Sequence, residues 1–587
     1  MNRGENAGAT SRVIAGTLGL LLVVGFYGLA LTRPGLSIQF LPPWDHVATG
    51  ELLGWLGHII LVVPGGLLLG WAFAPIVTPW LEVIVERLEE ASVESLRNAV
   101  VGVAALAFGV AIVGRMGFLD GWPITDDENA TRFGGRILAR GGVTVPAAPV
   151  MAYFPRLFLF AREGSITSFD WLGGQLAWAL GEATRTDGVV FTLAAAFAPA
   201  LVAVAAARRF GVVGGAAAAF VFFTSPMAQC LSWTTHPHLL SRAAIAGAVA
   251  VAASPRTSAA RVRSGAFGLL FGVGLLCRPF ETMTLLAPLA AGELWDARRE
   301  GRFVQRTAAM FLGALPMLAL FAWHNHAVTG FVHLPARFAE NAIPTPEWRR
   351  PWESLSDGQL LWRRFSVNVV FNVLRVGVWF WGPVGMMLIV LGANHDAFTR
   401  RLTAGLAVLF ALGLAHDDAG IHAVGPMHQS ESVVFLSVLA VAGARRIATV
   451  AARASIAPSA LAAVMVVMGS VAGGVFMLRQ AQALHAMVTL QDDVYGWMER
   501  DTSGPAFVLV PKIWEIWSQE PYLAAGTWVL AWRPPDPFFE ERVLVAVERD
   551  GTYRALRDAF PDRRAYRLGR DASGAWRVVP VDGSGGE

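Results

Sequence analysis

The stretch VGVAALAFGVAIVGRMGFLDGWPITDDENATR, residues 101–132, joins an apolar run to three consecutive carboxylates. Its first part has no charged residue before Arg115, and the whole run from 98 to 116 has the length and polarity of a membrane-crossing helix. Asp126, Asp127 and Glu128 follow shortly after that run. The chain is therefore predicted to leave the bilayer directly into a cluster of negative charge.

Composition indicates a membrane protein. Of 587 residues, 54% are hydrophobic and 16% charged, and the mean hydropathy is +0.49. The net charge of +3 does not indicate a nucleic-acid partner. Lys512 is the single lysine, which excludes a Walker A motif. Cys230 and Cys277 both lie in apolar runs, so neither a disulfide framework nor a thiolate metal cluster is predicted.

The apolar segments number about 13, and several are shorter than the roughly 20 residues of a perpendicular span. No small-residue cleavage site follows the first segment, which is therefore predicted to remain as a helix. The segments are residues 12–31, 52–74, 98–116, 188–207, 212–230, 238–253, 264–277, 280–294, 307–323, 373–393, 402–415, 432–446 and 457–477.

Arginine clusters indicate the orientation, because they occupy alternate connections. By the positive-inside rule these connections are cytoplasmic, which places the amino terminus inside and the other loops outside. The clusters include Arg208 and Arg209, Arg256 to Arg263, Arg298 to Arg306, Arg400 and Arg401, and Arg445 to Arg453. The acidic stretch 80–97 is predicted to form a surface helix on the inner side.

Unusual polar residues collect in the outer loops, whereas the helix interiors carry almost no charge. This asymmetry favours chemistry at the outer membrane face over an ion path through the bilayer. The outer loops hold the acidic cluster at 126–128, SWTTHPH with His236 and His238, CRPFE with Arg278, and HNHAVTGFVHLP with His324, Asn325 and His326. The loop HDDAGIHAVGPMHQSES adds Asp417, Asp418, His422 and His428.

The acidic cluster also has a structural interpretation. Thr125 and Glu128 have the spacing of a capping box, and acidic residues in a first helical turn complement the helix dipole. The predicted helix is amphipathic, with arginines at 132, 136 and 140, and Gly141–Gly142 ends it. Such a helix is expected to lie in the membrane interface. Capping and chemistry do not exclude each other.

Arg278 and the histidines of the outer loops also have structural interpretations. Arg278 could simply end a short helix, but an arginine between apolar segments costs about 2.5–3.5 kcal/mol at mid-bilayer, so an anionic partner is expected. His236 and His238 flank Pro237 without an HExxH motif, and the loop around Asp417 lacks calcium-loop spacing. No metal or other cofactor is therefore predicted, although a divalent metal is not excluded.

Taken in order, several of these stretches resemble bacterial integral-membrane glycosyltransferases of the GT-C superfamily. The resemblance rests on the acidic loop after a membrane helix and the amphipathic helix beside it, and on the stretches GLLFGVGLLCRPFETM at 268–283, HNHAVTGFVHLP at 324–335 and HAVGPMHQSES at 422–432. It covers about residues 98–478. Relatives of this family include protein O-mannosyltransferases and the lipid A aminoarabinose transferase.

The resemblance implies an inverting transferase that takes a sugar from a polyprenyl-phosphate donor outside the cytoplasmic membrane. The acceptor is a protein, a lipid or a glycan. The acidic pair of the family maps onto Asp127–Glu128, with Asp127 as the base and Asp126 as a further candidate. Substrate-binding roles are implied or expected for Arg278, Arg132, Arg136, His236 and Asn325. The chain departs from the family at TSFDWLGGQL, residues 167–176, and at His324–Asn325.

The residues themselves are also consistent with a lipid-linked sugar donor, apart from the family resemblance. A lipid-linked donor needs no nucleotide-binding domain, and the chain contains no Asp-x-Asp pair. Two alternatives remain: a lipid or polysaccharide transporter or flippase, for which we see no clear internal repeat, and a non-catalytic membrane scaffold. Membrane lipids are expected partners and nucleic acid is not.

The predicted fold is mostly α, a polytopic transmembrane helical bundle with a small extracytoplasmic α+β domain. Three domains are expected: residues 1–97 with two membrane helices and the surface helix, 98–478 as the catalytic membrane domain with outer loop 119–187, and 479–587 as the α+β domain. Strands are predicted at PAFVLVP, ERVLVAVER, RRAYRLG and AWRVVPV, and a helix at YRALRDAF.

Overall fold

A computed structural model of the chain describes residues 3–32, 55–155, 158–254, 260–339, 370–414, 421–422, 424–511, 533–570, 573 and 576–581. Within these ranges the chain is a bundle of apolar helices that carries a small α+β domain. Predictions that involve Arg256, Asp417, Asp418 and Lys512 fall outside the described residues.

The helices of the first half overlap the predicted apolar segments and the predicted outer-loop helix, except α5, which the sequence did not predict. They are α1 (Arg3–Thr32), α2 (Val63–Glu89, after a π-helical turn at His58–Val62), α3 (Val93–Phe118), α4 (Asp126–Ala139), α5 (Leu172–Thr184), α6 (Val189–Thr224), α7 (Pro226–Ser232) and α8 (His238–Ala252). Helix α6 is two helices joined at Gly211, whose φ of 80° breaks the helical path. This break lies at the predicted arginine-rich connection.

The second half continues the same pattern. Its helices are α9 (Ala260–Cys277), α10 (Pro279–Arg299), α11 (Phe303–Thr329), α12 (Val376–Trp379, after a π-helical turn at Val370–Arg375), α13 (Gly382–Gly392), α14 (Ala397–Gly413), α15 (Val433–Arg453) and α16 (Pro458–Asp501). In the described residues, eight helices are long and apolar enough to cross a membrane, or nine if the pair bent by 105° at Trp379–Gly382 is one span. The chain is therefore a multi-pass membrane protein.

Two boundaries differ from the prediction. Residues 80–97 do not form a separate surface helix, because α2 continues through Pro75 and Pro79 to Glu89 and α3 begins at Val93. The last membrane helix does not end near 479 but continues to Asp501. Its final turns pack Val494, Tyr495 and Met498 against the carboxyl-terminal sheet, which extends the helix beyond the bundle.

Three small sheets lie after α4, between α14 and α15, and after α16. Outer loop 119–187 contains β1 (Val145–Pro146), β2 (Leu159–Arg162) and β3 (Ser165–Ser168) in the order β1-β3-β2, and a short ladder joins β4 (Ile421–His422) to β5 (Gly425–Pro426). The carboxyl-terminal domain contains β6 (Ala506–Val510), β7 (Val543–Val547), α17 (Thr552–Ala559), β8 (Arg564–Arg570) and β9 (Trp576–Pro580). All four predicted strands and the predicted helix of this domain are confirmed.

The carboxyl-terminal sheet has the order β7-β6-β8-β9, with β6 parallel to both β7 and β8. It packs on α4, whose Phe133 and Ile137 are buried against Phe507 and Leu544 in one apolar cluster. This burial turns the apolar face of α4 toward protein, so the α+β domain supports the helix that begins with the acidic cluster. Its position in the membrane interface stays a prediction.

Candidate active site

A capping box fixes the start of α4, as the sequence predicts. The Oγ1 atom of Thr125 accepts a hydrogen bond from the main-chain N–H of Glu128 at 3.3 Å. In return, Oε2 of Glu128 accepts from the main-chain N–H groups of Thr125 at 3.1 Å and Ile124 at 2.9 Å. Donors of the first turn that a helix leaves unsatisfied are thereby paired.

The other carboxylate oxygen of Glu128 binds a distant loop. Oε1 accepts from the main-chain N–H of Thr235 at 2.6 Å and from its hydroxyl at 2.7 Å. Both oxygens are thus occupied, and the residue is only 1% exposed. These contacts tie the start of α4 to the loop that carries His236, which is a positioning role. Participation of Glu128 in the chemistry itself stays a prediction.

Asp127 has one carboxylate oxygen bound and one free. Oδ2 lies 3.3 Å from Nε2 of His236. The other oxygen, Oδ1, is buried and has no hydrogen-bond partner among the described residues. Because Nδ1 of His236 accepts from the main-chain N–H of His238 at 3.4 Å, Nε2 carries the hydrogen and donates it to Asp127.

The environment of Asp127 keeps it ionised. Burial by itself raises its pKa, but the hydrogen bond from His236 and the charges of Arg337 and Arg278 bring the pKa well below the ordinary aspartate value. Asp126 behaves in the opposite way, since burial and the neighbouring charge of Asp127 raise its pKa well above that value. Of the two adjacent aspartates, Asp127 is therefore the one suited to accept a proton.

Asp170 is a site residue that sequence reasoning missed. Its Oδ2 lies 2.5 Å from the hydroxyl of Thr131, which also lies 2.6 Å from the main-chain oxygen of Asp127, and its Oδ1 lies 3.4 Å from Arg337. Burial and the charge of Asp127 raise the pKa of Asp170. Two carboxyl groups whose pKa values are moved apart are the usual arrangement of acid–base sites. In the sequence, the feature that could have indicated Asp170 is its position as the single acid of TSFDWLGGQL, next to the start of α5.

Arg278 lies at the sharp junction between α9 and α10. Its Nε and one terminal nitrogen donate to Oε1 of Glu281 at 3.2 and 2.8 Å, and that nitrogen also lies 2.9 Å from Nδ1 of His428. The other terminal nitrogen is buried without a partner among the described residues. The expected anionic partner of Arg278 is thus present as Glu281, and one donor remains for a ligand.

Three histidines lie between these two groups. The rings of His236 and His238 stack with their centroids 4.7 Å apart, and the centroids of His238 and His428 are 6.0 Å apart. Nδ1 of His238 lies 2.7 Å from Oε1 of Glu431. Sequence reasoning noted the histidines but gave no role to Glu281 or Glu431, although both stand in quoted stretches at the ends of apolar segments.

A metal has one candidate set of ligands among the described residues. Ligand atoms of His238, Glu281 and His428 all lie within 4.8 Å of one another. Arg278, however, donates to Glu281 and lies at hydrogen-bond distance from His428, so its guanidinium already supplies positive charge to two of the three. A divalent ion that used Oε1 of Glu281 and Nδ1 of His428 would have to displace Arg278 from both atoms. The absence of a resident metal stays a prediction.

The remaining predicted residues contact other parts of the protein. Arg132 pairs with Asp187 at 3.7 Å, and Arg136 pairs with Asp536 of the α+β domain at 2.6 Å. Asn325 donates to the main-chain oxygen of Val332 at 3.3 Å. The described contacts bring Asp127, His236 and Arg278 into one cluster, whereas those of Arg132, Arg136 and Asn325 do not include it. Their roles in substrate binding stay predictions.

Comparison with known proteins finds no matching family model and no matching curated protein. Among solved structures the chain is similar to ArnT from Cupriavidus metallidurans bound to undecaprenyl phosphate, at 14% identity and a TM-score of 0.49, over 84% of this chain and 99% of that one. The apo form of ArnT gives 16% identity and a TM-score of 0.49, over 83% and 98%. The apo oligosaccharyltransferase of Archaeoglobus fulgidus gives 10% identity and a TM-score of 0.40, over 83% and 75%.

These neighbours are membrane glycosyltransferases of the GT-C class, the class that the sequence motifs resemble. At such identities and TM-scores the likeness carries no argument about activity.

Proposed function

We propose that the chain is a membrane glycosyltransferase that moves a sugar from a polyprenyl-phosphate donor to an acceptor hydroxyl. One observation carries the proposal: a buried carboxylate oxygen of Asp127 and a buried guanidinium nitrogen of Arg278 both lack partners among the described residues, within one electrostatically coupled cluster. One cluster thus holds a carboxylate oxygen that can accept a proton and an N–H group that can donate to an anion. This combination suits a displacement reaction that releases a phosphate.

The base step follows from the state of Asp127. As the acceptor oxygen attacks the anomeric carbon, its proton passes to Oδ1 of Asp127, which is ionised and free to receive it. His236 holds the other oxygen and so orients the carboxylate. A single displacement of this kind inverts the configuration at the anomeric carbon.

The leaving-group step follows from Arg278. The bond between the anomeric carbon and the phosphate oxygen breaks, and polyprenyl phosphate departs with the electron pair. The free terminal nitrogen of Arg278 binds the phosphate, for which a planar guanidinium is well suited. Glu281 and His428 hold the rest of the guanidinium, so its free N–H group is oriented before the substrate binds.

The proposed location is the outer face of the bacterial cytoplasmic membrane. The cluster is assembled from loops that the arginine pattern predicts to be outside, whereas Arg263 and Arg401 pair with Glu293 and Asp296 near the other end of α10. The amino terminus is then inside, and the α+β domain is outside. At that face a polyprenyl chain can remain in the bilayer while its phosphate reaches Arg278.

The direct test is to identify the product. The full chain, purified into lipid nanodiscs, is incubated with lipid-linked sugars and envelope material extracted from native membranes, and the lipids are followed by mass spectrometry. We expect the sugar-bearing lipid to decrease as free polyprenyl phosphate accumulates. Intact donor that only changes leaflet in proteoliposomes would contradict the proposal and support the transporter alternative.

A further inference from the structure

His238 lies between the two ends of the proposed reaction site. On one side its ring stacks on His236, which binds Asp127. On the other side it faces His428, which lies 2.9 Å from a terminal nitrogen of Arg278. In a transfer from phosphate to acceptor, the group between the base and the phosphate is the sugar.

The hydrogen bonds of Glu431 fix the tautomer of His238. Oε1 of Glu431 accepts from the hydroxyl of Ser241, and Oε2 accepts from the hydroxyl of Ser430 at 2.9 Å. With hydroxyl groups directed at both oxygens, we assign the hydrogen of His238 to Nδ1, which lies 2.7 Å from Oε1. The lone pair of His238 is then on Nε2.

No hydrogen-bond donor of the described residues reaches that lone pair. Nε2 of His238 is buried and has no partner among the described residues, and the residue is fully buried at 0% exposure. Buried acceptors are nearly always satisfied, because an unsatisfied one loses its hydrogen bonds to water without replacement. Such an atom inside a proposed substrate site points to a donor on the substrate.

We propose that Nε2 of His238 accepts a hydrogen bond from a hydroxyl group of the transferred sugar. This inference rests on the proposed function, and it adds a sugar-recognition residue to the base and the phosphate-binding arginine. Glu431 is a positioning residue, because it acts on the sugar only through the tautomer of His238. A metal is the other ligand that this lone pair could bind, and the contacts of Arg278 with Glu281 and His428 oppose it.

The test compares undecaprenyl phosphate with forms of the same lipid that carry a sugar. Affinities of the full chain in nanodiscs are measured for undecaprenyl phosphate and for undecaprenyl phosphate bearing glucose, galactose, mannose or arabinose, each with and without EDTA. The variants are His238→Phe, which removes the acceptor but keeps a ring, and Glu431→Gln, whose amide can donate to Nδ1 and so place the hydrogen on Nε2. His485→Phe, on the half-exposed face of α16, is the matched control.

We expect the wild-type protein to bind at least one sugar-bearing lipid more tightly than undecaprenyl phosphate. His238→Phe and Glu431→Gln should lower that affinity about fivefold to tenfold while changing the affinity for undecaprenyl phosphate less than about twofold. Retention of the sugar preference in both variants, equal loss for both lipids, no sugar preference in the wild type, or loss of the preference on adding EDTA would each overturn the inference. Failure of the wild type to bind undecaprenyl phosphate at all would instead overturn the proposed function.

Discussion

Oδ2 of Asp127 and Nε2 of His236 lie 3.3 Å apart although 109 positions separate the two residues. The contact joins the first turn of α4 to the loop before α8, and Glu128 reinforces it through Thr235 in the same loop. It leaves Oδ1 as the carboxylate oxygen available to a substrate. The geometry thus separates Asp127, which has one unpaired carboxylate oxygen, from Glu128, whose two oxygens are both occupied.

The first prediction concerns pH. Removing the hydrogen bond of His236 in His236→Phe should raise the pKa of Asp127, which burial already favours. Because Asp127 acts as a base only when ionised, the rate falls as the pH drops through its folded-state pKa. In the wild type this acid limb lies below the ordinary value of about 4, and in the variant it should move upward. Initial rates measured across the acid range test this, and a uniformly reduced but unshifted profile would argue against it.

The second prediction concerns Arg278. Arg278→Lys keeps the charge but loses the planar fork that serves Glu281, His428 and a phosphate together, so donor affinity should fall. Arg278→Ala also leaves Glu281 buried without its cation, so its effect should be larger and should include lower stability. Undecaprenyl-phosphate binding and thermal stability are measured on both. Unchanged donor affinity in both variants would remove Arg278 from the site.

The third prediction concerns Glu128. The capping box alone suggests that Glu128→Gln is mild, since glutamine can also reach back to the backbone. The structure predicts otherwise, because both oxygens accept hydrogen bonds and an amide would turn a donor toward either Thr125 or Thr235. We expect unfolding free energy to fall by about 1–3 kcal/mol. Thr125→Ala, which removes one cap, should lower the unfolding free energy by about 0.5–2 kcal/mol and serves as the comparison. Wild-type stability in Glu128→Gln would show that the contacts of Glu128 with Thr125 and Thr235 do not stabilise the fold.

Local features of the fold could be predicted from the sequence. The apolar segments, the break at Gly211, the capping box at Thr125 and the four carboxyl-terminal strands follow from periodicity, turn residues and spacing within short windows. The length of α16 could not, because its last turns are held by contacts with a sheet formed later in the chain. The packing partner of α4 could not be predicted either, because its apolar face suits lipid and a protein core equally well.

The site shows the same limit. Asp127, His236 and Arg278 are predicted from unusual residues beside apolar segments together with the family resemblance, and the structure brings the three into one cluster. Asp170, Glu281 and Glu431 were missed because their significance lies in partners brought from other loops. Conversely, Arg132 and Arg136 are predicted to bind substrate, whereas their described ion-pair partners are acidic residues of this chain. These contacts join charged residues that are distant in the chain, and the periodicity of the sequence does not predict such pairs.

The fourth prediction concerns topology. Residues 119–187, 324–370 and 478–587 are expected to be extracytoplasmic. Both native cysteines are buried, so single cysteines can be added at exposed sites. Thr186→Cys and Asp558→Cys should react with an impermeant maleimide in intact spheroplasts, and Glu90→Cys, in the connection between α2 and α3, should react only after lysis. The reverse pattern would overturn the orientation and the location of the site.

The most direct test of the central claim is the transfer rate of Asp127→Asn. Asparagine keeps the shape and can still accept from His236 but cannot take a proton, so transfer should fall by about 10² or more while the melting temperature changes little. Asp120→Asn, which alters a half-exposed carboxylate beside His485, is the matched control and should retain the wild-type rate. An Asp127→Asn protein that folds and transfers sugar at the wild-type rate would mean that the carboxylate serves the helix and not the reaction.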